Sequence, residues 1–545
     1  MPLTRREFIV AGAGLVVGAC ASGTKSASKT PVKNAAPGVS SSSSTTTGIW
    51  TPTTGLPLTE PVQLFTKGHK LKVRLDAEAE PIMVSGATLG ARPWNGALIG
   101  PTLNVSPGDR IEVTFKNGMD QDTNIHYHGM HVSPLNDGDN VFRTFKPGKT
   151  YQSAIDIPAD HNTGTYWYHV HFHGVSEGQV MGGLSGLLIV HGLEDRLPPA
   201  LRNVTQRQLA IRDVRTRGDS IVLDPSTNMS TDTLTRLVNG LSQPTFSIQQ
   251  GETQLWHFAN IGADAFYDVV LNSLAGGPPM QFTIIAVDGA PVWTVQTLDH
   301  LDMPPARRYD VLVQGGAPGT YQLATRAVPL AGTKPRDAGP LASVTVTPGN
   351  STPATLPTTM MTAAERAQKD LRNFQPTAAG HTVTFEFNNN GDSVVAIDGG
   401  PAQVFDPNRL DVAVDLGAVE DWTLVNPTAG FHPFHIHVNE FQVLQISDPT
   451  TGQLVDYDAP GTLDTVTMPP KITVNGQDIP GKVVIRNRFL DFDGWFVFHC
   501  HILNHEDGGM MSTIEVLKKG QKPSPPPHEA DLNASEHVLH TATTD

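Results

Sequence analysis

Pro101-Thr-Leu-Asn-Val-Ser-Pro-Gly108-Asp-Arg-Ile-Glu-Val-Thr-Phe-Lys-Asn117 reads as two short strands joined by a Pro-Gly turn. Apolar and polar residues alternate along it, the period of a strand with one buried face. The pattern occurs twice more, over 244–260 (Pro-Thr-Phe-Ser-Ile-Gln-Gln-Gly251 onward) and 410–426 (Leu-Asp-Val-Ala-Val-Asp-Leu-Gly417 onward). Each copy places an asparagine (Asn117, Asn260, Asn426) nine residues after its turn glycine. Three copies predict three homologous β-domains, expected near 49–192, 204–350 and 379–520. Short strands at regular spacing between Gly/Pro turns make each a Greek-key β-sandwich. The predicted fold class is therefore all-β, three consecutive sandwiches.

Composition agrees. The 545 residues are enough for three or four domains. Gly (51) and Pro (43) are abundant and only 17% of residues are charged, as in loop-rich β proteins. A net charge of −15 excludes a nucleic-acid partner, whose phosphates call for basic patches. Two cysteines, Cys20 and Cys500, exclude a disulfide framework and any Cys-rich zinc or iron–sulfur site.

The first residues read as an address. Thr4-Arg-Arg-Glu-Phe-Ile9 is a twin-arginine export signature, followed by an apolar run too short to span a bilayer. Val17-Gly-Ala-Cys20 resembles a bacterial lipobox, with Cys20 the lipid-bearing residue. Residues 1–20 are thus expected to be the signal, and the Ser/Thr/Ala/Gly-rich stretch 21–48 a flexible tether. The tail 521–545 is expected to be disordered. The predicted protein is an exported bacterial monomer, periplasmic or on the cell surface, with a possible membrane tether through Cys20.

The repeat also aligns the histidines. Nine and eleven residues after the repeat asparagine lie His126 and His128 in the first copy, and His435 and His437 in the third. The middle copy has Val269 and Leu271 there. Five and seven residues after Gly164 and Gly494 lie His169 and His171, and His499 and His501; the same offsets from Gly319 give Ala324 and Arg326. On a strand, residues i and i+2 share a face, so each His-x-His presents two imidazoles side by side. Neutral imidazole suits copper and zinc, and eight of them at one interface serve about three ions. The alternation throws Cys500 to the opposite face from His499 and His501. There His432, His505 and Met510 can join it, and two His, one thiolate and a weak axial Met make a blue-copper electron-transfer site.

His126-Tyr-His128-Gly, Trp167-Tyr-His169-Val-His171, His432-Pro-Phe-His435-Ile-His437 and His499-Cys500-His501 with His505 and Met510 resemble the four copper signatures of multicopper oxidases. The resemblance spans about residues 49–518. It implies three cupredoxin-like domains and four copper ions. Carried over, the type 1 copper takes His432, Cys500, His505 and Met510. The type 2 copper takes His126 and His435, and the type 3 pair takes His128, His169, His171, His437, His499 and His501. Tyr127 departs from the usual Trp, and His173 is expected to pack behind the ligands. The implied activity is one-electron oxidation of a small reducing substrate at type 1 copper, coupled to four-electron reduction of O2 to water. Asp137, nine residues after His128, matches the family acid near type 2 copper, and Glu506 a carboxylate for proton delivery.

An axial Met implies a low- to medium-potential oxidase. The 13 methionines are scattered, with no Met-rich insert of the kind that serves Cu(I). The expected activity is that of a laccase-like oxidase of phenolic or aromatic donors. The alternative is a metallo-oxidase for Cu(I), Fe(II) or Mn(II) in metal homeostasis. A copper-sequestering envelope protein and a structural lipoprotein on the same scaffold fit less well, since no ligand position is vacant.

Overall fold

The computed structural model describes residues 50–224, 232–330 and 336–527. The expected export signal with Cys20, the expected tether, and the tail from residue 528 lie outside the described residues. The architecture is all-β, as expected, with a few short helices. No helix among the described residues is long and apolar enough to cross a membrane.

The repeated motif is a corner between sheets rather than a hairpin. Gly100–Val105 joins a five-stranded sheet, whereas Arg110–Asn117 joins a three-stranded one. Thr245–Gln249 and Thr253–Asn260 part in the same way, as do Val412–Asp415 and Val419–Asn426. The three turn glycines have φ of +87°, +77° and +90°, which side chains other than glycine rarely adopt. The repeat asparagines also do one job three times. Asn117, Asn260 and Asn426 are fully buried, and each donates from Nδ2 to one carbonyl of the following loop (Gln121, Ala265, Gly430) and to one far along the chain (Phe145, Met303, Pro469). Each also accepts, through Oδ1, the backbone N–H two residues on. They fix the turn that leads into the next strand of the opposite sheet.

Strands of the outer layers alternate as predicted, Arg110–Asn117 burying every second residue. The histidine-bearing strands are buried on both faces, Gly164–His169 and His432–Ile436 throughout. One face packs on the strand's own sandwich and the other on a neighbouring domain. The middle and third domains share one apolar core that includes Cys500 and Met510. The hairpin Glu80–Val84/Ala87–Ala91 leaves the first sandwich to extend the middle domain's sheet, through Gly90 beside Ser220. The chain's end also stays on the body longer than expected. Ser524 N–H donates to Glu515, and the Trp495 indole donates to the Ser524 carbonyl. These partners hold the first residues of the predicted tail.

Candidate metal centre

Two antiparallel pairings build the two halves of the site. His126 lies opposite His169 in the first domain, and His435 opposite His499 in the third. The i, i+2 rule then brings His128, His171, His437 and His501 to the same faces, and the faces meet. His126 stacks on His437 and His128 on His435, each with ring centres 3.8 Å apart. All eight rings are buried. His171 Nε2 lies 3.0 Å from His499 Nε2, which is 3.3 Å from His437 Nε2. His128 Nδ1 lies 3.2 Å from His501 Nε2.

Burial holds every one of these imidazoles below its ordinary pKa, and the neighbouring rings add to the effect. His435 is pushed down to about 4, mainly by burial. The rings are therefore neutral lone-pair donors at pH 7. His499 Nδ1 is occupied by the Cys500 carbonyl, and three further rings have the outer nitrogen occupied too: His126 Nδ1 by Asp139, His169 Nδ1 by the Val170 carbonyl and His435 Nδ1 by the Asp464 carbonyl. The Nε2 atoms of these last three are buried with no hydrogen-bond partner among the described residues. Buried polar atoms rarely stay unpaired. Converging orphaned lone pairs, backed by carboxylate and carbonyl acceptors, fit bound transition-metal cations.

The second cluster is smaller. Cys500 Sγ lies 3.5 Å from His432 Nδ1 and 3.6 Å from His505 Nδ1, and these nitrogens are 3.2 Å apart. Thr428 Oγ1, 2.8 Å from His432 Nε2, turns the ring. Met510 is fully buried, its carbonyl accepting the Cys500 N–H. Burial pushes the Cys500 thiol well up, so a cation must be present to make it a thiolate. The donor set suits copper. Cys500 is bonded through the backbone to His499 and His501, so the two clusters are one residue apart.

The acids are only partly where the sequence places them. Glu506 is fully buried on the short helix Leu503–Asp507, 3.6 Å from His171 Nδ1 and 3.4 Å from His499 Nδ1. Burial, with Asp507 adding to it, raises its carboxyl well above the ordinary range and so favours the protonated form. Asp137 does not reach a histidine. Asn136, at φ +55°, turns the loop there, and Asp137 is half-exposed with its carbonyl bound to Ala154 N–H and Ser153 Oγ. The carboxylate on His126 is Asp139, both oxygens 3.0 Å from Nδ1, and burial raises it to about 8. The sequence motif names Asp137 and passes over Asp139, two residues on, which the turn brings inward. His173 packs against Phe405, ring centres 4.9 Å apart, outside the eight-ring cluster. His257 is engaged elsewhere, 2.6 Å from Asp310. Asp464 touches the cluster at His128 and is held by Arg308, both buried and with no nearby motif to announce them.

Rim residues near His432 and His505 are aromatic and apolar. Phe387 lies 5.8 Å from the His432 ring and 5.1 Å from His505. Phe431 is tied to the exposed Leu330 by a backbone hydrogen bond and packs near Phe266. Asp264, whose charge is felt at His505, is paired with Arg336 at 2.7 Å.

Comparisons with known proteins converge on one family. Three family models, each described as multicopper oxidase, match residues 82–195, 204–349 and 365–520. A multicopper oxidase of Staphylococcus haemolyticus is 27% identical over 434 residues, 79% of this chain and 84% of that protein. A laccase of Bacillus subtilis is 24% identical over 483 residues, 78% of this chain and 89% of that one. Among solved structures, a Campylobacter jejuni multicopper oxidase, titled a metallo-oxidase, superposes with a TM-score of 0.70 at 23% identity, covering 86% of this chain and 96% of that one. With matches along all three domains and a buried histidine cluster between the first and third, the chain belongs to the multicopper oxidase family, copper-dependent oxidoreductases that use O2 as acceptor.

Proposed function

We propose that the protein is a laccase-like oxidase of phenolic or aromatic donors, exported from a bacterial cell, with four coppers and three domains near 49–192, 204–350 and 379–520. The part-exposed rings of Phe387, against His432 and His505, and of Phe431, next to His432 in the chain, support the substrate class. A phenol ring stacks on such a surface, whereas Fe(II) or Mn(II) calls for free carboxylates and Cu(I) for soft thioether donors. Asp264, already paired with Arg336, is not free. His432, Cys500, His505 and Met510 would hold the type 1 ion, and His126 and His435 the type 2 ion. His128, His169 and His501 would hold one type 3 ion, and His171, His437 and His499 the other. When bound, copper supplies one-electron redox chemistry, four ions storing the four electrons that take O2 to two waters.

The chain's own residues do the rest. Cys500 joins the donor side to the O2 side through its peptide bonds to His499 and His501. The buried sandwich interface excludes bulk water from the eight rings. Glu506, its neutral form favoured by burial, lies beside His171 and His499 where a general acid would be needed. Asp139 holds His126 in the tautomer with Nε2 free.

The test is O2 uptake by the copper-loaded protein with 2-methoxyphenol and, separately, Cu(I), using Cys500→Ser as the blank. Cys500-dependent uptake with the phenol, and little with Cu(I), is expected. The reverse result refutes the phenol reading and makes the protein a metallo-oxidase.

A further inference from the structure

We infer that the middle domain, which contributes no histidine, sets the gap between His128 and His435 through the buried Arg308–Asp464 ion pair, making Asp464 a positioning residue of the O2-reducing centre. The inference rests on the copper assignment above. Arg308 is wholly buried, and Asp464 nearly so. Arg308 Nη1 donates to Asp464 Oδ1 at 2.9 Å, and Nη2 donates to Oδ2. Such a two-pronged pair fixes direction as well as distance.

Asp464 then reaches both halves of the cluster. His128 Nε2 donates to Oδ1 at 3.2 Å, and His435 Nδ1 donates to the backbone carbonyl at 2.8 Å. One residue thus orients a ring from the first domain and a ring from the third, the two that stack at 3.8 Å. His128 is the odd ring. His126, His169 and His435 tie down Nδ1 and leave Nε2 open, whereas His128 ties down Nε2 and points Nδ1 at His501. That tautomer needs an acceptor at Nε2, and Asp464 supplies it.

Arg308 also binds the first domain. Its Nε donates to the Thr165 carbonyl at 3.3 Å, and two residues along the same strand Asp310 accepts the Thr165 N–H at 3.0 Å and its hydroxyl at 2.5 Å. Thr165 lies on the strand that ends at His169. The strand Arg308–Gln314 therefore grips the first domain's ligand strand while Arg308 holds the third domain's Asp464. Gly129, the residue after His128, gives independent support. It sits at φ +79°, and an added Cβ would overlap the Asp464 carboxylate and Arg308 Nη2. The close approach of this pair to the ligand strand is thus built into the His-x-His-Gly segment.

The experiment uses the copper-loaded holoprotein, wild type beside Asp464→Asn and the double variant Asp464→Asn/Arg308→Gln. The double variant leaves no uncompensated buried charge, so it folds where the single one fails. Copper release to EDTA is followed together with the type 2 electron paramagnetic signal and the visible band of the Cys500 site. Release of the histidine-cluster coppers about 10-fold faster or more, with a shifted type 2 signal and an intact Cys500 band, is expected. Cluster release within about 2-fold of wild type in a folded variant overturns the inference. Loss of the Cys500 band as well, in the double variant, also overturns it, because the pair then holds the fold rather than the cluster. A wild-type protein that takes up no copper at the histidines would instead sink the copper assignment, and the inference with it.

Discussion

Gly129→Ala and Gly108→Ala are a matched pair within one domain. Both glycines have φ near +80° to +90°, so an alanine pays the same backbone penalty at each, about 1–2 kcal/mol. Their surroundings differ. The Cβ added at Gly108 meets no atom within 4 Å, whereas at Gly129 it runs into Asp464 and Arg308. Those groups are buried and cannot separate without stranding a charge, which adds about 3–5 kcal/mol at Gly129 alone. For a cooperative unit of 150–250 residues, 1 kcal/mol moves the melting midpoint by about 2–4 °C. In copper-free protein Gly108→Ala is expected to lower the midpoint by about 2–8 °C, and Gly129→Ala by roughly 6–20 °C more. Calorimetry of the two variants against wild type measures the difference directly. Midpoints within about 3 °C of each other would refute the steric reasoning, since the predicted extra cost converts to at least twice that.

Cys500→Ser removes the soft donor from the His432/His505 site and the electron route to the histidine cluster. The visible band should vanish and phenol-driven O2 uptake fall by at least about 100-fold, while the melting midpoint of copper-free protein stays within a few degrees. Glu506→Gln keeps the shape of a carboxyl whose neutral form burial favours, so folding should be little affected. Turnover should drop about 10²-fold or more and lose its dependence on this acid in the pH–rate profile, the usual scale of a lost general acid; an unchanged profile would remove Glu506 from proton delivery. The cluster imidazoles are held below the ordinary 6.5 in the fold, so their stabilising neutrality is present above 6.5 and lost as pH falls. Copper-free protein should therefore lose denaturant resistance as pH drops below about 6.5, and a flat urea midpoint from pH 7 to 5 would contradict the burial of the rings. Asp139 is shifted the other way, to about 8, so its protonated form stabilises the fold at low pH and that contribution is lost as pH rises through about 8. Asp139→Asn should flatten that part of the copper-free stability curve, and an unaltered slope would place the titration elsewhere.

The parts of the molecule legible in the sequence were those with a short period. Alternation gave the strands, the glycine-to-asparagine spacing gave the repeat, and the i, i+2 rule put each histidine pair on one face. Those relations span a dozen residues, and strand geometry alone turns them into positions. Contacts across hundreds of residues were not legible. Asp464 bonds to His128, 336 positions away, and Arg308 to Asp464 across 156. Asp137 and Asp139 differ by one turn of a loop, and spacing could not tell which faces inward. The corner geometry of the repeat was hidden for a related reason. Strand–turn–strand patterns look alike whether the strands pair or part, and only the partners Lys70–Ala77 and Gln63–Phe65 show that they part.

The ligand-free middle domain follows from the same physics. A cluster between two bodies has an advantage that a pocket within one sandwich lacks, because two flat faces bring eight rings together without opening either core. Its weakness is that nothing within either face fixes the distance between them. Neutral imidazoles attract one another only weakly, and each is stabilised by a cation it must share with rings from the other domain. Contacts outside the two faces must therefore hold the gap: His131 on the Val438 carbonyl and Asn162 on Glu440 tie the first domain to the third directly, and the middle domain adds a rigid element. A strand that bonds Thr165 on one side and Asp464 on the other meets that need, and it works best if it carries no histidine of its own. A ligand on that strand would tie its position to the metal it is meant to pre-position. Asp464 instead couples the gap to the protein's own buried charge, holding the His128 and His435 rings in their stack through hydrogen bonds within the chain.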